Sequence, residues 1–481
     1  MSCSLVAGVD CSTQSTKVVV VDADAGDVVA SGRHPHKVTG TGGARETHPD
    51  DWWQALAKAL AQTGCARHIA VISIAGQQHG LVVLDENQRP LRPAILWNDT
   101  RSADHAAALR RELGGTQAWA DRIGVVPVSS FTVSTWAWLR AVEPGIAARA
   151  RAVRLPHDHL TERLVGVGVT DRGDASGTGW WSTATQDYAA EVLDLDLVRL
   201  DPTLLPTVIG PADPAGEVSP AMADELGLRA GTLVAPGTGD NMSASMGLGL
   251  ERGTPVVSLG TSGTAFAVAE QRTVDASGTV AGFADATGRF LPLAATLNCT
   301  LAVDRFAALL GLDRDDIAEA TDCVVLPYLD GERTPDLPLA AGSMVGLRHS
   351  TTGPELLRAA YEGAAASLLD ALDAIDRSGA GLADEAPLIL VGGGSRGAAW
   401  QTVVGDLSGR ALQIPEQTEL VALGAAIQAT ALLRGEDPVE VARRWRTRRG
   451  TILEARPPAV ERMHRIRRAR DRLEQLNRAP V

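Results

Sequence analysis

One pattern occurs twice in this chain, once near the start of each half, and it constrains the fold more than any other feature. The two segments are VAGVDCSTQSTKVVV at residues 6–20 and VVSLGTSGTAFAV at residues 256–268. In each, two apolar runs typical of strands flank a short turn rich in Ser, Thr or Gly. A chain of 481 residues is too long for one ordinary core. The repeat therefore predicts two domains of related architecture, with a boundary near residues 245–253.

The order of strand-like and helix-like segments predicts an α/β fold. Buried strands are expected at 69–76 and 91–99. Helices are expected at 48–63, 103–123, 134–151, 300–311 and 353–377. We assign residues 1–246 to the first domain, 253–436 to the second domain and 437–481 to a helical C-terminal tail.

Charge and composition exclude several classes of partner. The formal net charge is -13, and an acidic surface repels nucleic-acid phosphates, so no nucleic-acid partner is expected. The opening MSCSLVAGVD has neither the basic segment nor the long apolar run of a signal peptide, and no apolar stretch is long enough to span a bilayer. The five cysteines are widely spaced, which favours a reducing compartment over a disulfide framework or a zinc site. We therefore expect a cytoplasmic protein with no membrane partner.

The turns of the two repeated segments are candidate phosphate-binding loops. In the first, Asp10 ends a buried strand, and Ser12, Thr13 and Lys17 follow it. Such a turn can direct donors at phosphate oxygens while Asp10 holds a hydrated Mg²⁺. The corresponding residues of the second loop are Gly260, Thr261, Ser262 and Gly263. An ordinary hairpin turn explains either loop alone, but two such loops favour phosphate binding.

A third glycine-rich turn, at residues 392–397, satisfies the pattern GxGxxG between a predicted strand and a predicted helix. Glu416 follows the next strand, about where the ribose-binding acid of a dinucleotide fold lies. This segment alone therefore supports a nicotinamide-dependent oxidoreductase, although Gly393 and Gly394 could equally lie against an adenosine. No Walker A pattern, GxxxxGK[ST], occurs in the chain, which excludes P-loop kinases.

Polar residues at two further strand ends could bind and activate a substrate. Asp240 follows an apolar strand within GTGDNMSA, where partial burial would raise its pKa toward that of a general base. Capping of the helix that follows is the ordinary alternative. The segments GQQHG and WND also end predicted strands and carry groups that can bond sugar hydroxyls. The residues expected to bind a sugar are Gln78, His79, Trp97, Asn98, Asp99, Asp240 and Asn241.

Taken together, these motifs resemble the FGGY carbohydrate kinases, a family within the actin/hexokinase/Hsp70-like ATPase superfamily. DCSTQSTK, GDN, SLGTSGT and GGGSRGAAWQ occur in the family's order over nearly the whole chain. The resemblance implies two related actin/hexokinase-like (ribonuclease H-like) ATPase domains with a cleft between them. It also implies that ATP, Mg²⁺ and a small sugar bind in that cleft. By the same resemblance His79 contacts the sugar, Asp240 is the catalytic base, and Asp10 and Asp240 hold Mg²⁺ through water.

Other segments resemble one branch of that family, the enzymes that phosphorylate D-xylulose. These segments are GQQHG, LRPAILWNDTR, LPHDHL and PYLDGERTP. They imply transfer of a phosphoryl group from ATP to O5 of D-xylulose in D-xylose catabolism. Gln78 and Cys11 depart from the residues expected in many relatives, and Gln78 could shift the preference among sugars. A kinase for ribulose, fuculose or glycerol therefore stays open, as do an oxidoreductase, a non-catalytic sugar sensor and a homodimeric assembly.

Overall fold

The structure is a computed structural model that describes residues 4–335, 337 and 339–478. The strands of the first half are β1 Leu5–Cys11, β2 Ser15–Asp22, β3 Val28–Pro35, β4 Glu46–Thr47, β5 Ile69–Gly76, β6 Val82–Leu84, β7 Ala94–Ile95, β8 Ala152–Arg154, β9 Val169–Asp171, β10 Trp181–Ser182, β11 Asp187–Tyr188, β12 Thr207–Ile209, β13 Gly216–Glu217, β14 Leu233–Val234 and β15 Thr238–Gly239. Its α-helices are α1 Pro49–Thr63, α2 Ala103–Glu112, α3 Thr116–Arg122, α4 Thr132–Val142, α5 Pro144–Arg149, α6 Pro156–Val165, α7 Arg172–Ser176, α8 Ala190–Leu193, α9 Pro220–Leu226 and α10 Asp240–Gly247.

The second half continues the alternation of strands and helices. Its strands are β16 Val256–Leu259, β17 Gly263–Phe266, β18 Ala281–Ala284, β19 Phe290–Thr296, β20 Val324–Leu326, β21 Ser343–Val345, β22 Leu388–Val391, β23 Leu412–Pro415 and β24 Gly450–Leu453. Its α-helices are α11 Thr300–Leu310, α12 Gly353–Ile375, α13 Ala398–Ser408, α14 Leu420–Arg434, α15 Pro438–Trp445 and α16 Val460–Arg478.

Each half is built around a seven-stranded sheet with the same central arrangement. The first sheet has the order β13-β14-β5-β1-β2-β3, with β15 also pairing with β5, and the second has the order β18-β19-β17-β16-β22-β23-β24. In both sheets an antiparallel hairpin opens the half, and its first strand pairs in parallel with a strand much later in the chain: β1 with β5, and β16 with β22. The prediction of two related halves from the repeated segments is therefore confirmed.

The strand β1 is buried on both faces, which explains its continuous apolar run. Val9 packs with Trp52 of α1 on one face, and Val6 packs with Ala422 of α14 on the other. At Gly8, an added Cβ would lie 1.9 Å from the carbonyl oxygen of Ala422, so only glycine allows α14 to approach this closely. A helix from late in the chain thus packs on the first sheet, and the domain limits at residues 246, 253 and 436 stay predictions.

Two of the expected helices are divided in the structure. The helix expected at 103–123 breaks into α2 and α3 at Gly114 and Gly115, whose φ angles of 103° and 99° lie outside the helical region. The helix expected at 134–151 breaks into α4 and α5 at Pro144, which has no N–H to continue the hydrogen-bond ladder. The prediction of one continuous helix in each place is wrong.

The remaining expected elements differ mainly in length. The strand expected at 91–99 is reduced to β7, because Pro93 cannot donate to a ladder. The predictions for α1, β5, α11 and α12 are confirmed to within two residues at each end. The C-terminal tail contains α15 and α16 but also the strand β24, which pairs with β23. Within the described residues, no helix combines the length and the apolar character needed to cross a bilayer.

Candidate active site

Three parallel strands of the first sheet end at the same edge. Both β1 and β15 pair in parallel with β5, and the register places Asp10 and Thr238 opposite the same residue, Ala75. Carboxyl ends of parallel strands meet at one edge of a sheet, which is where open α/β sheets bind ligands. The side chains that follow these strands, Gln78 after β5 and Asp240 after β15, are therefore brought to the edge that holds Asp10.

Asp240 has the environment of a general base. It is the first residue of α10, and Gly239 occupies the N-cap position, so the alternative that Asp240 caps this helix is wrong. Its Oδ1 accepts hydrogen bonds from the backbone N–H and the side-chain Nδ2 of Asn241, at 2.8 and 3.0 Å. Dense packing, reinforced by the negative charges of Asp10 and Asp174, raises the pKa of Asp240 to about 7. A carboxylate with this pKa can accept a proton near neutral pH.

Gln78 lies beside Asp240 and has hydrogen-bonding capacity to spare. Its Oε1 accepts from Asn241 Nδ2 at 2.8 Å. In the part of the chain that the structure describes, Gln78 Nε2 and both side-chain polar atoms of Gln77 are buried without a hydrogen-bond partner. Unpaired buried polar groups cost free energy, so the unpartnered Nε2 of Gln78, next to Asn241 and Asp240, is typical of a site completed by a ligand or by water.

His79 is held as a neutral ring with one free acceptor. Its Nδ1 lies 2.7 Å from the carbonyl oxygen of Gly177. Burial, together with the nearby positive charge of Arg333, lowers the pKa of His79 to about 3. A neutral ring must place its single proton on Nδ1 to donate to this carbonyl, so Nε2 is left as an acceptor suited to a hydroxyl. The ring packs against Phe131 and Phe283, at centroid distances of 4.7 and 5.8 Å.

The first phosphate-loop candidate contains a buried carboxylate and a shared lysine. Ser12 Oγ donates to Asp10 Oδ1 at 2.5 Å. Lys17 Nζ lies 3.9 Å from Asp10 Oδ2 and donates to Glu419 Oε2 at 2.7 Å. Burial raises the pKa of Asp10, because the hydrogen bond from Ser12 and the charge of Lys17 offset the lost hydration only in part. The pair between Lys17 and Glu419 also joins this loop to the segment that precedes α14.

The WND segment lies beside the same loop, but its three residues are differently engaged. Trp97 is 37% exposed and donates from Nε1 to Thr13 Oγ1 at 3.0 Å. Among the described residues Asn98 Oδ1 is buried without a partner, so it can still accept from a ligand. Asp99 is 1% exposed, and both of its carboxylate oxygens bind Arg101, at 2.6 to 3.0 Å. Its contacts favour a supporting role for Asp99 over direct contact with a sugar, and its assignment to the sugar site stays a prediction.

The two candidate nucleotide turns of the second half lie side by side. The strands β16 and β22 are parallel neighbours, so residues 260–263 and 392–397 follow adjacent strand ends. Thr300 Oγ1 donates to the carbonyl oxygen of Gly260 at 2.8 Å, which fixes the first turn to the start of α11. A Cβ added at Gly394 would lie 2.8 Å from Cγ2 of Thr300. Glycine is therefore needed for the second turn to pack this closely against the first.

Two groups of buried ionisable residues were not identified from the sequence. His157 and Asp174 are both fully buried and bonded to each other, with His157 Nδ1 2.7 Å from Asp174 Oδ2. Burial lowers the pKa of the His157 imidazole, but the negative charges of Asp158, Asp174 and Asp171 outweigh it and raise this pKa to about 9. Burial disfavours the charged carboxylate of Asp174 and raises its pKa to about 7. Glu332 accepts from the backbone N–H groups of Leu297 and Asn298, at 2.6 and 3.2 Å. His157 belongs to a short run of ionisable residues flanked by apolar ones in LPHDHL, and Glu332 lies in PYLDGERTP, whereas the polar segment around Asp174, VTDRGDASG, gave no such signal.

Comparison with known proteins agrees with this geometry. Residues 5–247 match the model of the FGGY family of carbohydrate kinases, N-terminal domain, and residues 256–433 match the model of its C-terminal domain. The chain is 59% identical over 452 residues to a protein of Streptomyces rubiginosus named xylulose kinase, covering 94% of this chain and 92% of that protein.

Solved structures give the same result. The crystal structure of xylulose kinase from Bifidobacterium adolescentis superposes with a TM-score of 0.86 and 36% identity, covering 97% of this chain and 99% of that one. Plasmodium falciparum glycerol kinase with ADP superposes with a TM-score of 0.88 and 19% identity, over 100% of this chain and 99% of that one, which shows the shared fold. Two family models that together span most of the sequence establish that this chain belongs to the FGGY family of carbohydrate kinases.

Proposed function

We propose that this chain transfers the γ-phosphoryl group of ATP to O5 of D-xylulose, with Asp240 as the general base. The observation that carries the proposal is the environment of Asp240: it stands at the shared edge of β1, β5 and β15, beside Gln78 and Asn241, with its pKa raised to about 7. The relative that is 59% identical and named xylulose kinase supports D-xylulose as the sugar. Family membership favours a kinase over a nicotinamide-dependent oxidoreductase or a sensor without catalysis.

The residues of the first half would bind the sugar and take its proton. Asp240 accepts the proton of the attacking hydroxyl, and Asn241 keeps its carboxylate oriented through two hydrogen bonds to Oδ1. His79 Nε2 accepts a bond from a second hydroxyl, and Gln78 Nε2, which has no partner in the described chain, donates to a sugar oxygen. Phosphoryl transfer depends mainly on such positioning and on charge neutralisation, because its transition state spreads charge over the phosphoryl oxygens.

The nucleotide would lie between the two halves. Ser12, Thr13 and Lys17 face its phosphates from the first half, residues 260–263 contact the phosphates from the second half, and Gly393 and Gly394 lie against the adenosine. The adjacency of the two second-half turns supports this arrangement.

The carboxylates present fit a Mg²⁺ ion. Asp10 and Asp240 lie at the same edge of the first sheet, and repulsion from the negative charge of Asp10 contributes to the raised pKa of Asp240. Lys17 relieves this repulsion only in part, because it also pairs with Glu419. Mg²⁺ is usually held by one or two carboxylates, waters and substrate phosphates, which these residues can provide. When bound, Mg²⁺ neutralises phosphate charge.

A substrate series tests this proposal. ADP release is measured with D-xylulose, D-ribulose, L-ribulose, L-fuculose, glycerol and gluconate, and ³¹P NMR identifies the phosphorylated oxygen. The highest kcat/KM is expected with D-xylulose, and the product is expected to carry phosphate on O5. Sugar-independent ADP release, or none at all, would reject the kinase assignment, whereas a clear preference for ribulose, fuculose or glycerol would reject only D-xylulose.

The remaining assignments follow from the proposed reaction. An enzyme that uses ATP and a small sugar is placed in the cytoplasm, where both are available. The predicted domains, 1–246 and 253–436 with the tail at 437–481, would move relative to each other as the cleft closes on both substrates and excludes water. Sedimentation of the purified chain distinguishes a monomer from the homodimer left open by the sequence.

A further inference from the structure

A buried cluster of ionisable residues packs against the short strand β15, which immediately precedes Asp240. His157 at the start of α6 is 0% exposed, and its Nδ1 lies 2.7 Å from Asp174 Oδ2. Its Nε2 lies 3.2 Å from Asp158 Oδ1 and 4.0 Å from Asp171 Oδ1. All three carboxylates are at most 2% exposed. Such a group is costly to bury and is stable only when its members hold one another in fixed geometry.

The cluster contacts each residue of the short segment that precedes Asp240. At Gly237, an added Cβ would lie 2.8 Å from Cδ2 of His157, so the imidazole packs directly against this backbone. Thr238 Oγ1 donates to Asp171 Oδ2 at 2.8 Å. The strand β15 is only two residues long, so its ladder with β5 is short and these contacts help to hold it in place.

The last residue before the base is held in the same way. At Gly239, an added Cβ would lie 3.1 Å from Asp174 Oδ1 and 2.7 Å from Cγ of Gln78. The backbone at Gly239 therefore fills the space between the buried cluster and a residue of the sugar pocket. Asp174 Oδ1 has no hydrogen-bond partner in the described chain, so the orientation of this carboxylate depends on the bond from His157 to its other oxygen.

We infer that His157 and Asp174 are positioning residues for phosphoryl transfer: they fix β15, and through it the carboxylate of Asp240, relative to Gln78. This inference rests on the proposed function, because it assumes that Asp240 is the base. Both residues are 0% exposed, so neither can touch the sugar or the nucleotide. Displacement of a reacting group by about 1 Å can cost about 100-fold in rate. Loss of the cluster should therefore lower kcat and leave KM nearly unchanged.

Three variants test this on the full-length enzyme with its preferred sugar. His157→Leu removes both ring nitrogens and is expected to lower kcat by about 10- to 100-fold, with KM for sugar and ATP changed by less than about threefold. His157→Asn places its amide Nδ2 close to the position of the imidazole Nδ1, so it can still donate to Asp174, and it is expected to recover kcat to within about fivefold of wild type. His159→Leu is the matched control, because His159 lies on the same helix and is also buried, at 4% exposure. Among the described residues its Nε2 has no hydrogen-bond partner, and no hydrogen bond or ion pair joins its side chain to residues 237–239. Its kcat should stay within about twofold of wild type.

A double-mutant cycle separates positioning of Asp240 from a general structural effect. In an Asp240→Asn background the base is already lost, so adding His157→Leu should lower the residual rate by less than about twofold. A role independent of Asp240 would instead multiply the two losses. Thr238→Val, which removes only the bond to Asp171, provides a second route if His157→Leu does not fold, and it too should lower kcat without raising KM.

The outcomes distinguish the inference from the function on which it rests. A His157→Leu or Thr238→Val enzyme with kcat within about threefold of wild type would overturn the inference, as would an equal loss in His159→Leu or multiplicative losses in the cycle. If the wild-type enzyme releases no ADP with any sugar in the series, the proposed function itself fails.

Discussion

Replacing Gln428 by Leu should destabilise the protein strongly, because its side chain joins α14 to the first sheet through three buried hydrogen bonds. Gln428 lies on α14 and is 2% exposed. Its Oε1 accepts from Ser73 Oγ at 2.6 Å and from the backbone N–H of Gly237 at 3.0 Å, and its Nε2 donates to the carbonyl oxygen of Gly237 at 3.1 Å. Leu has a similar volume but leaves three buried polar groups unpaired.

The size of the effect follows from those three groups. Each buried polar group left without a partner costs about 1–3 kcal/mol, so with partial relaxation Gln428→Leu should lower the free energy of unfolding by about 3–5 kcal/mol. Urea unfolding followed by tryptophan fluorescence measures this loss. Gln401→Leu is the control, because Gln401 is partly exposed and, among the described residues, its side chain makes one hydrogen bond, from Nε2 to the carbonyl oxygen of Ser395 at 2.9 Å. This substitution should lower the free energy of unfolding by no more than about 1 kcal/mol. A loss below about 1 kcal/mol in Gln428→Leu would refute the reasoning.

Three further predictions concern the reaction. Because the pKa of Asp240 is raised to about 7, its carboxylate is protonated below that pH and cannot act as a base. The value of kcat should therefore fall about tenfold per pH unit below about pH 6 and level off above about pH 8. A flat profile of kcat from about pH 5 to 8 would contradict this prediction. Lys17→Met removes a cation expected at the ATP phosphates and should raise KM for ATP by about 10-fold or more in steady-state assays, while KM for the sugar stays near its wild-type value. His79→Leu removes the Nε2 acceptor and should raise KM for D-xylulose by about 5- to 10-fold, and unchanged sugar binding would remove His79 from the pocket.

The features predicted well from the sequence are those that depend on local pattern. The two hairpins that open the halves follow from apolar runs around polar turns. The positions of Asp10, Gln78 and Asp240 near one edge of the first sheet follow from their places at strand ends, while their roles in the reaction stay predictions. Parallel strands bring their carboxyl ends together, so strand ends in the sequence become neighbours in the sheet.

Features that depend on distant contacts could not be predicted. No sequence pattern near either segment indicates that α14 packs on β1. The contact depends on the close approach of Gly8 to Ala422, which are more than 400 residues apart in the sequence. Likewise, the place of Asp99 at the end of the WND segment predicts a residue that binds the sugar, but in the structure its carboxylate is paired with the guanidinium of Arg101. The pairing of His157 with Asp174 joins α6 to α7, and no local pattern indicates which ionisable residues of the two helices will meet.

The central claim is that Asp240 accepts the proton of the sugar hydroxyl, and single-turnover ADP formation with D-xylulose in Asp240→Ala and Asp240→Asn tests it most directly. General-base catalysis typically contributes about 10²- to 10⁴-fold, so both variants should lose at least about 100-fold in rate. Their melting temperatures should stay near that of the wild type, because removal of a carboxylate with a raised pKa relieves repulsion from Asp10. A rate within about tenfold of wild type in either folded variant would contradict the claim.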